Sequence, residues 1–417
     1  MNRELAVHVD LDGQPVLCGR LWTRSAPREG ASFEYDPTWR TSQHAFALDP
    51  ELPLAAGQFH TGRPLFRAFT DPAPDRWGQM LLRRAERARA RREGRTPRTL
   101  TAVDFLTLVD DETRLGALRF RDAGAGDGPF LSTGSTRVPP LIALSKLLAA
   151  TDRIIADEET DEDLALVLAP GTSLGGARPK ATVRDSDGGL LVAKFPTASD
   201  EWPATRWEAT TLELAKGAGI HVPVFRLALA ARKPVLLLRR FDRGGPVRIP
   251  FMSAMTALSA DNNQIRSYLD IVDVLRQEGA QVAKDLRELW RRLVFNVLVS
   301  NTDDHLRNHG FLHDGVGWRL APAYDLNPMP TDVRPRVHAL TIDDTDPTAS
   351  MDTVWAVAPK FGLGTKEARQ IAREVAAAVR TWRSAGKRCG LKPKELDRME
   401  SAFEHADLAR AASWRFR

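Results

Sequence analysis

Asp303, Asn308 and Asp325 lie on polar stretches that follow apolar runs, the second residue five positions and the third twenty-two positions after the first. Magnesium takes hard oxygen ligands, commonly one or two protein carboxylates plus phosphate oxygens, and an attacking hydroxyl needs a carboxylate nearby to accept its proton. Asp303 suits the proton acceptor, and Asn308 and Asp325 suit the metal ligands, which together is the chemistry of metal-assisted phosphoryl transfer. Asp304, next to Asp303, leaves a second assignment open: a loop shifted by one residue would make Asp304 the base. His305 has no second histidine at zinc spacing on one helix, so its expected role is to hold the loop by hydrogen bonds.

A second stretch fits the same chemistry. Gly171–Lys180 (GTSLGGARPK) precedes two strand-like segments, Ala181–Val183 and Leu190–Phe195. Glycines let backbone N–H groups approach a polyphosphate, and a lysine at the end of the following strand offers a point charge. Gly175, Gly176, Ala177, Arg178, Pro179 and Lys180 are therefore expected to cover nucleotide phosphates, with Lys194 holding them. Neither GxxxxGK[ST] nor GxGxxG is present. The succession of Gly-rich hairpin, strand lysine, Asp-x-x-x-x-Asn and a later Asp is the order of parts in a kinase.

Several elements must position these groups. Ala204–Gly217 is a helix ended by glycine, and Glu208, ahead of Glu213, is the acid expected to hold Lys194. The strand Pro234–Phe241 would form a hinge, with backbone groups of Arg239 and Phe241 at the adenine edge and Asp242 toward the ribose. The competing reading is a buried Arg240–Asp242 pair that pins the loop. Helical patterns over Tyr268–Glu278 and Lys284–Ser300 lead into Asn301, and Thr365–Gly386 and Pro393–Ala412 complete a helical region with Trp382 and Trp414 near their ends.

Nearer the N-terminus, Leu5–Val9 and Val16–Trp22 alternate as strands around the turn Asp10-Leu11-Asp12-Gly13, and Ser32–Tyr35 continues as a third strand. A helix begins near Asp75 and carries arginine at six of the ten positions 83–92, either a stripe for DNA phosphates or a solvated face. Leu141–Leu148 forms an amphipathic helix. The acidic run Asp157–Asp163 suits the first turn of a helix and lacks the glycine and later glutamate of a calcium loop.

At 417 residues and 43% hydrophobic, the chain can fill two or three subdomains. A net charge of +5 with 27% charged residues describes an ordinary surface, and two cysteines, Cys18 and Cys389, are too few for a disulfide framework. There is no apolar segment of signal-peptide length and no run of eighteen apolar residues, so the expected location is cytoplasmic.

SLGGARPK (Ser173–Lys180), Lys194 in VAKFP, RFDR (Arg240–Arg243), NTDDHLRN (Asn301–Asn308) and PAYDL (Pro322–Leu326) resemble the HipA family of bacterial serine/threonine kinases that act as toxins of toxin–antitoxin pairs. The likeness extends to the N-terminal region through Leu115–Leu118. It implies a two-lobed α+β kinase-like fold: a β-rich N-terminal subdomain (1–125), a small lobe (126–240) and a mostly helical large lobe (241–417). It also implies ATP and Mg²⁺ as cofactors. Nucleotide contacts would come from Gly175–Lys180, Lys194, Arg239, Arg240, Phe241, Asp242, His305, Arg307, Asn308, Tyr324 and Asp325, with Ser173 as a self-phosphorylation site unless it merely caps its turn. A small helix-turn-helix antitoxin would be the partner, with DNA contact indirect or weak, and a component of the translation apparatus the substrate. Two departures stand out: Asp304 where the family often has glycine, and Asp71–Gly78 in place of a Leu-Pro-Glu-Gly-like segment. A lipid or small-molecule kinase, or a pseudokinase acting as a binding module, remain alternatives.

Overall fold

The structure, a computed structural model, describes residues 3–24, 29–132, 138–168, 176, 178–262 and 264–413. The chain divides into two compact units, one of Met1–Ala198 with Leu229–Met252, the other of Ser199–Ala228 with Ser253–Arg417.

In the first unit, strand β1 (Arg3–Leu11) turns through Asp12-Gly13 into β2 (Gln14–Arg24). Both turn residues have positive φ, 51° and 83°, which a two-residue hairpin requires and Asp-Gly readily supplies. β3 (Gly30–Tyr35), β4 (Gln58–Thr61) and β5 (Leu118–Asp122) complete an antiparallel sheet of order β4-β3-β2-β1-β5. Alternation along β1 sends Leu5, Val7 and Val9 fully into the core.

The arginine-rich helix spans Arg76–Arg92, capped by Asp75, whose side chain accepts from the Gly78 N–H at 3.0 Å. Part of its stripe meets the acidic run: Arg84 pairs with Asp157 and Glu159, and Arg92 with Asp161. That run also opens the helix Asp161–Leu168, with Asp161, Glu162 and Asp163 in its first turn. Arg83, Arg87 and Arg91 stay exposed, so the stripe is divided between internal ion pairs and solvent. The amphipathic segment after Pro140 begins as a 3₁₀ turn, Leu141–Ala143, and runs on as the helix Leu144–Ile155. A second sheet follows. β6 (Lys180–Arg184) pairs antiparallel with β7 (Leu190–Lys194), placing Lys180 opposite Lys194, and the strand Lys233–Arg239 pairs with β7 on its other side.

The second unit is mainly helical. Ala204–Gly217, Tyr268–Glu278 and Val282–Leu298 form where expected, although the last is displaced from Lys284–Ser300 because Ser300 takes a φ of 52° that ends the helix. A hairpin, Gly310–His313 with Trp318–Leu320, separates the polar loop after Ser300 from the one bearing Asp325. The single helix expected over Thr365–Gly386 is two, Thr365–Val379 and Trp382–Arg388, and the break lets Trp382 stack on Phe403 with ring centroids 4.7 Å apart. Pro393–Ala412 is likewise three short helices, Pro393–Arg398, Glu400–Phe403 and Ala406–Ser413. Trp414 lies outside the described residues. Met351–Val357 is an additional helix, capped by Ser350. Among the described residues no helix is long and apolar enough to cross a membrane.

Candidate active site

The helix Val282–Leu298 delivers the chain into a loop whose two adjacent aspartates have opposite surroundings. Asp303 has a side chain 63% exposed and pairs with Arg334 at 3.0 Å. Asp304 is 2% exposed. Its Oδ2 accepts from the Tyr268 hydroxyl, from Asn296 Nδ2 at 3.0 Å and from His309 Nε2 at 2.8 Å. Burial raises the Asp304 carboxyl, but the His309 ring and the Tyr268 hydroxyl outweigh it and hold the group below its usual value. Burial and then the Asp304 charge push the Tyr268 phenol well up, so it stays a donor. Of the two neighbours, then, only Asp303 offers a carboxylate to solvent.

A chain of amides continues from Asp304 toward Asp325. Asn296 Oδ1 accepts from Asn301 Nδ2 (3.1 Å), Asn301 Oδ1 accepts from the Asn327 N–H (3.3 Å), and Asn327 Nδ2 donates to Asp325 Oδ1 (3.2 Å). Asp325 sits at φ 58°, a left-handed conformation that aspartate tolerates better than most side chains. The Tyr324 hydroxyl donates to the Arg307 carbonyl at 2.7 Å and so ties the segment carrying Asp325 to the loop carrying Asn308. Asn308 donates its Nδ2 to the Asp303 carbonyl at 3.3 Å, which leaves its amide oxygen as the hard donor. An amide oxygen plus a carboxylate is a donor set that suits magnesium. Among the described residues no three His, Cys, Asp or Glu side chains gather as a cage, so an ion held here would complete its shell with phosphate oxygens and water.

The scaffold role expected of His305 is carried by its backbone. Among the described residues its Nδ1 has no hydrogen-bond partner, and the residue holds the loop through its carbonyl, which accepts from the Asn308 N–H at 2.8 Å. The ring that braces the loop is that of His309. Arg307 Nη2 donates to Asn262 Oδ1 at 2.8 Å. In the same unit, Glu208 is buried in its helix, whereas Glu213 pairs with Arg388.

In the first unit, Gly176 and Arg178 are exposed and Pro179 is buried; Ser173, Gly175 and Ala177 lie outside the described residues. Lys194 ends β7. Lys180, expected to cover phosphates, is instead 4% exposed, with its ammonium 3.2 Å from Asp75. Burial pushes Asp75 up, against the opposing Lys180 charge and the Gly78 N–H. Arg239 turns to Asp187 at 2.8 Å. The nucleotide roles expected of the Arg240 and Asp242 side chains are also corrected. Asp242 is 1% exposed and accepts from Arg240, Arg243 and the Gly116 N–H, while Arg240 donates further to the carbonyls of Thr113 and Arg114. Although burial raises Asp242, the two guanidinium groups hold it far below the ordinary carboxylate range. RFDR is therefore the loop-pinning alternative. Phe241 packs against Phe251.

Two features were not foreseen from the sequence: Asn296, Asn301 and Asn327 as a chain of amides, and Asp75 as a partner of Lys180. Asn296 carried a usable signal, since a polar residue within a buried apolar helix face must find partners.

A family model for the HipA-like C-terminal domain matches residues 172–382, and one for the HipA N-terminal domain matches residues 7–120. Toxin YjjJ of Escherichia coli is 23% identical, over 49% of this chain and 47% of its own length. Y4mE of Sinorhizobium fredii, a kinase by assigned name only, is 28% identical over 37% of this chain and 41% of its own. The chain spans about half the length of these curated relatives. HipA of Shewanella oneidensis MR-1, solved with HipB and its operator DNA, aligns with a TM-score of 0.69 at 18% identity, covering 98% of this chain and 96% of that one. That likeness establishes an α+β, kinase-like fold.

Proposed function

The chain belongs to the HipA family, and from that membership we propose that it is a serine/threonine protein kinase using ATP and Mg²⁺, the toxin of a toxin–antitoxin pair. Asp303 accepts the proton of the attacking hydroxyl. Asn308 and Asp325 would hold the metal. Lys194 and the exposed residues Gly176 and Arg178 would hold the nucleotide phosphates. Bound MgATP supplies the transferable phosphoryl group and the charge that stabilises it. The remaining work is positioning: the Asp304 cluster fixes the loop so that Asp303 keeps its carboxylate toward solvent.

The observation that carries this reading is that contrast between neighbours, an exposed Asp303 on a loop anchored by a buried Asp304. It also counts against a pseudokinase, because the residue in place of glycine is absorbed into the scaffold. A small helix-turn-helix antitoxin is the proposed partner, a translation component the proposed substrate, and Ser173 the proposed self-phosphorylation site. A phosphate there would add roughly −1.5 to −2 charge and repel nucleotide phosphates. Intact-mass analysis after incubation with MgATP tests the self-phosphorylation: one added phosphate is expected on the wild type and none on Ser173→Ala. A Ser173→Ala protein that gains the same phosphate moves the site elsewhere. Labelling of protein acceptors against lipid vesicles tests the acceptor class, and transfer to lipid alone would overturn the protein-kinase reading.

A further inference from the structure

Lys180 is a buried cation placed, by strand register, opposite a second lysine. β6 and β7 pair Lys180 with Lys194, so both side chains leave the same face of the sheet. Like charges directly opposite are unfavourable, and a buried ammonium needs a partner. A partner comes from 105 residues away, the N-terminus of the arginine-rich helix. Asp75 divides its two oxygens: Oδ1 caps the helix by accepting from the Gly78 N–H at 3.0 Å, and Oδ2 meets Lys180 Nζ at 3.2 Å. A second tie from the same helix runs from Trp77 Nε1 to the Lys180 carbonyl, at 3.1 Å. On its other side the ammonium lies under Gly176, whose φ is 103° and where an added Cβ would sit 2.9 Å from Lys180 Nζ. The positive φ favours glycine at this position, and a side chain there would press on the Lys180 ammonium.

We infer that Asp75 is a positioning residue: through Lys180 it sets the backbone of Arg178–Lys180 and the approach of Gly176, so the N-terminal subdomain governs how these residues meet nucleotide phosphates. The inference deepens the kinase reading and rests on it. Lys180 then serves as a peg neutralised by Asp75 and contacts no phosphate, and the Asp71–Gly78 segment acquires a role that its departure from the family pattern had left open.

The test compares wild type, Asp75→Asn, Lys180→Met, Gly176→Ala and the double variant Asp75→Asn/Lys180→Met. Asparagine keeps the helix cap. Two quantities are read: hydrogen exchange of residues 178–184 without nucleotide, and MgATP affinity. Asp75→Asn, Lys180→Met and Gly176→Ala are each expected to speed exchange there and to weaken MgATP about tenfold or more. The double variant, which removes both buried charges, is expected to recover thermal stability but not affinity. Asp75→Asn with wild-type affinity, or a double variant that recovers affinity together with stability, would overturn the positioning role and leave the kinase reading standing. A wild type that binds no MgATP would sink the kinase reading instead, and the peg itself is then decided by exchange, unchanged rates in Asp75→Asn overturning it.

Discussion

Replacing Asp304 by alanine should cost stability first and activity only as a consequence. Its Oδ2 accepts three hydrogen bonds from buried donors, Tyr268 Oη, Asn296 Nδ2 and His309 Nε2. A hydrogen bond to a charged group contributes about 1.5–3 kcal/mol, and orphaning buried donors adds their desolvation, although members of one network do not sum independently. The cost expected for Asp304→Ala is therefore about 3–5 kcal/mol, the range for breaking a buried ionic cluster by removing one partner. Asp303→Asn removes an exposed carboxylate whose partner is Arg334, and such pairs are worth about 0.5 kcal/mol. Urea unfolding should show a large loss for Asp304→Ala and almost none for Asp303→Asn. ATP turnover under folding conditions should show the reverse order of severity for the conservative pair, with Asp303→Asn inactive and Asp304→Asn still active. If Asp304→Asn abolishes turnover while leaving the unfolding midpoint unchanged, Asp304 is the base and the loop assignment is wrong by one residue.

Three further expectations follow from other clusters. Asp242→Asn should destabilise the first unit by about 3–5 kcal/mol because Arg240 and Arg243 lose the carboxylate they share, and a variant of wild-type stability with weaker ATP binding would restore the ribose role. His338 is buried with neither ring nitrogen hydrogen-bonded among the described residues, and burial pushes its pKa down to about 4. It stays neutral in the folded chain while the unfolded chain protonates it, so stability should fall as pH drops from about 6.5 toward 4, by up to about 3 kcal/mol, and His338→Gln should flatten that window; equal acid sensitivity in variant and wild type would refute this. Arg336 ties Ser300 Oγ, the Val297 carbonyl and Asp407 together, so Arg336→Met should loosen the loop after Ser300, read as faster hydrogen exchange at 300–304, with unchanged exchange counting against it.

Local rules carried much of the fold. The first hairpin was visible in the alternation of Leu5, Val7 and Val9 and in Asp12-Gly13, and β6 and β7 in their apolar runs. The break between Val379 and Trp382 was not, because no proline or glycine marks it and Trp382 turns toward Phe403 only once the fold is assembled. The site divides in the same way. Residue types and order singled out the 301–308 loop and Asp325, yet Asp303 and Asp304 are chemically identical in sequence, and only packing against Tyr268, Asn296 and His309 separates them. RFDR allowed both a nucleotide contact and a structural pin, and the choice depended on carbonyls at Thr113 and Arg114 far away in sequence. A helix start near Asp75 was legible, but its pairing with Lys180 was not, because no local pattern connects the two.

Phosphoryl transfer from MgATP with Asp303 as the proton acceptor makes turnover depend on both magnesium and that carboxylate. The deciding measurement is steady-state ATP turnover by purified wild type and Asp303→Asn, each verified as folded and assayed with and without magnesium. Magnesium-dependent turnover in the wild type, falling at least about a hundredfold in Asp303→Asn, is the expected result. Turnover in Asp303→Asn near the wild-type rate would contradict it.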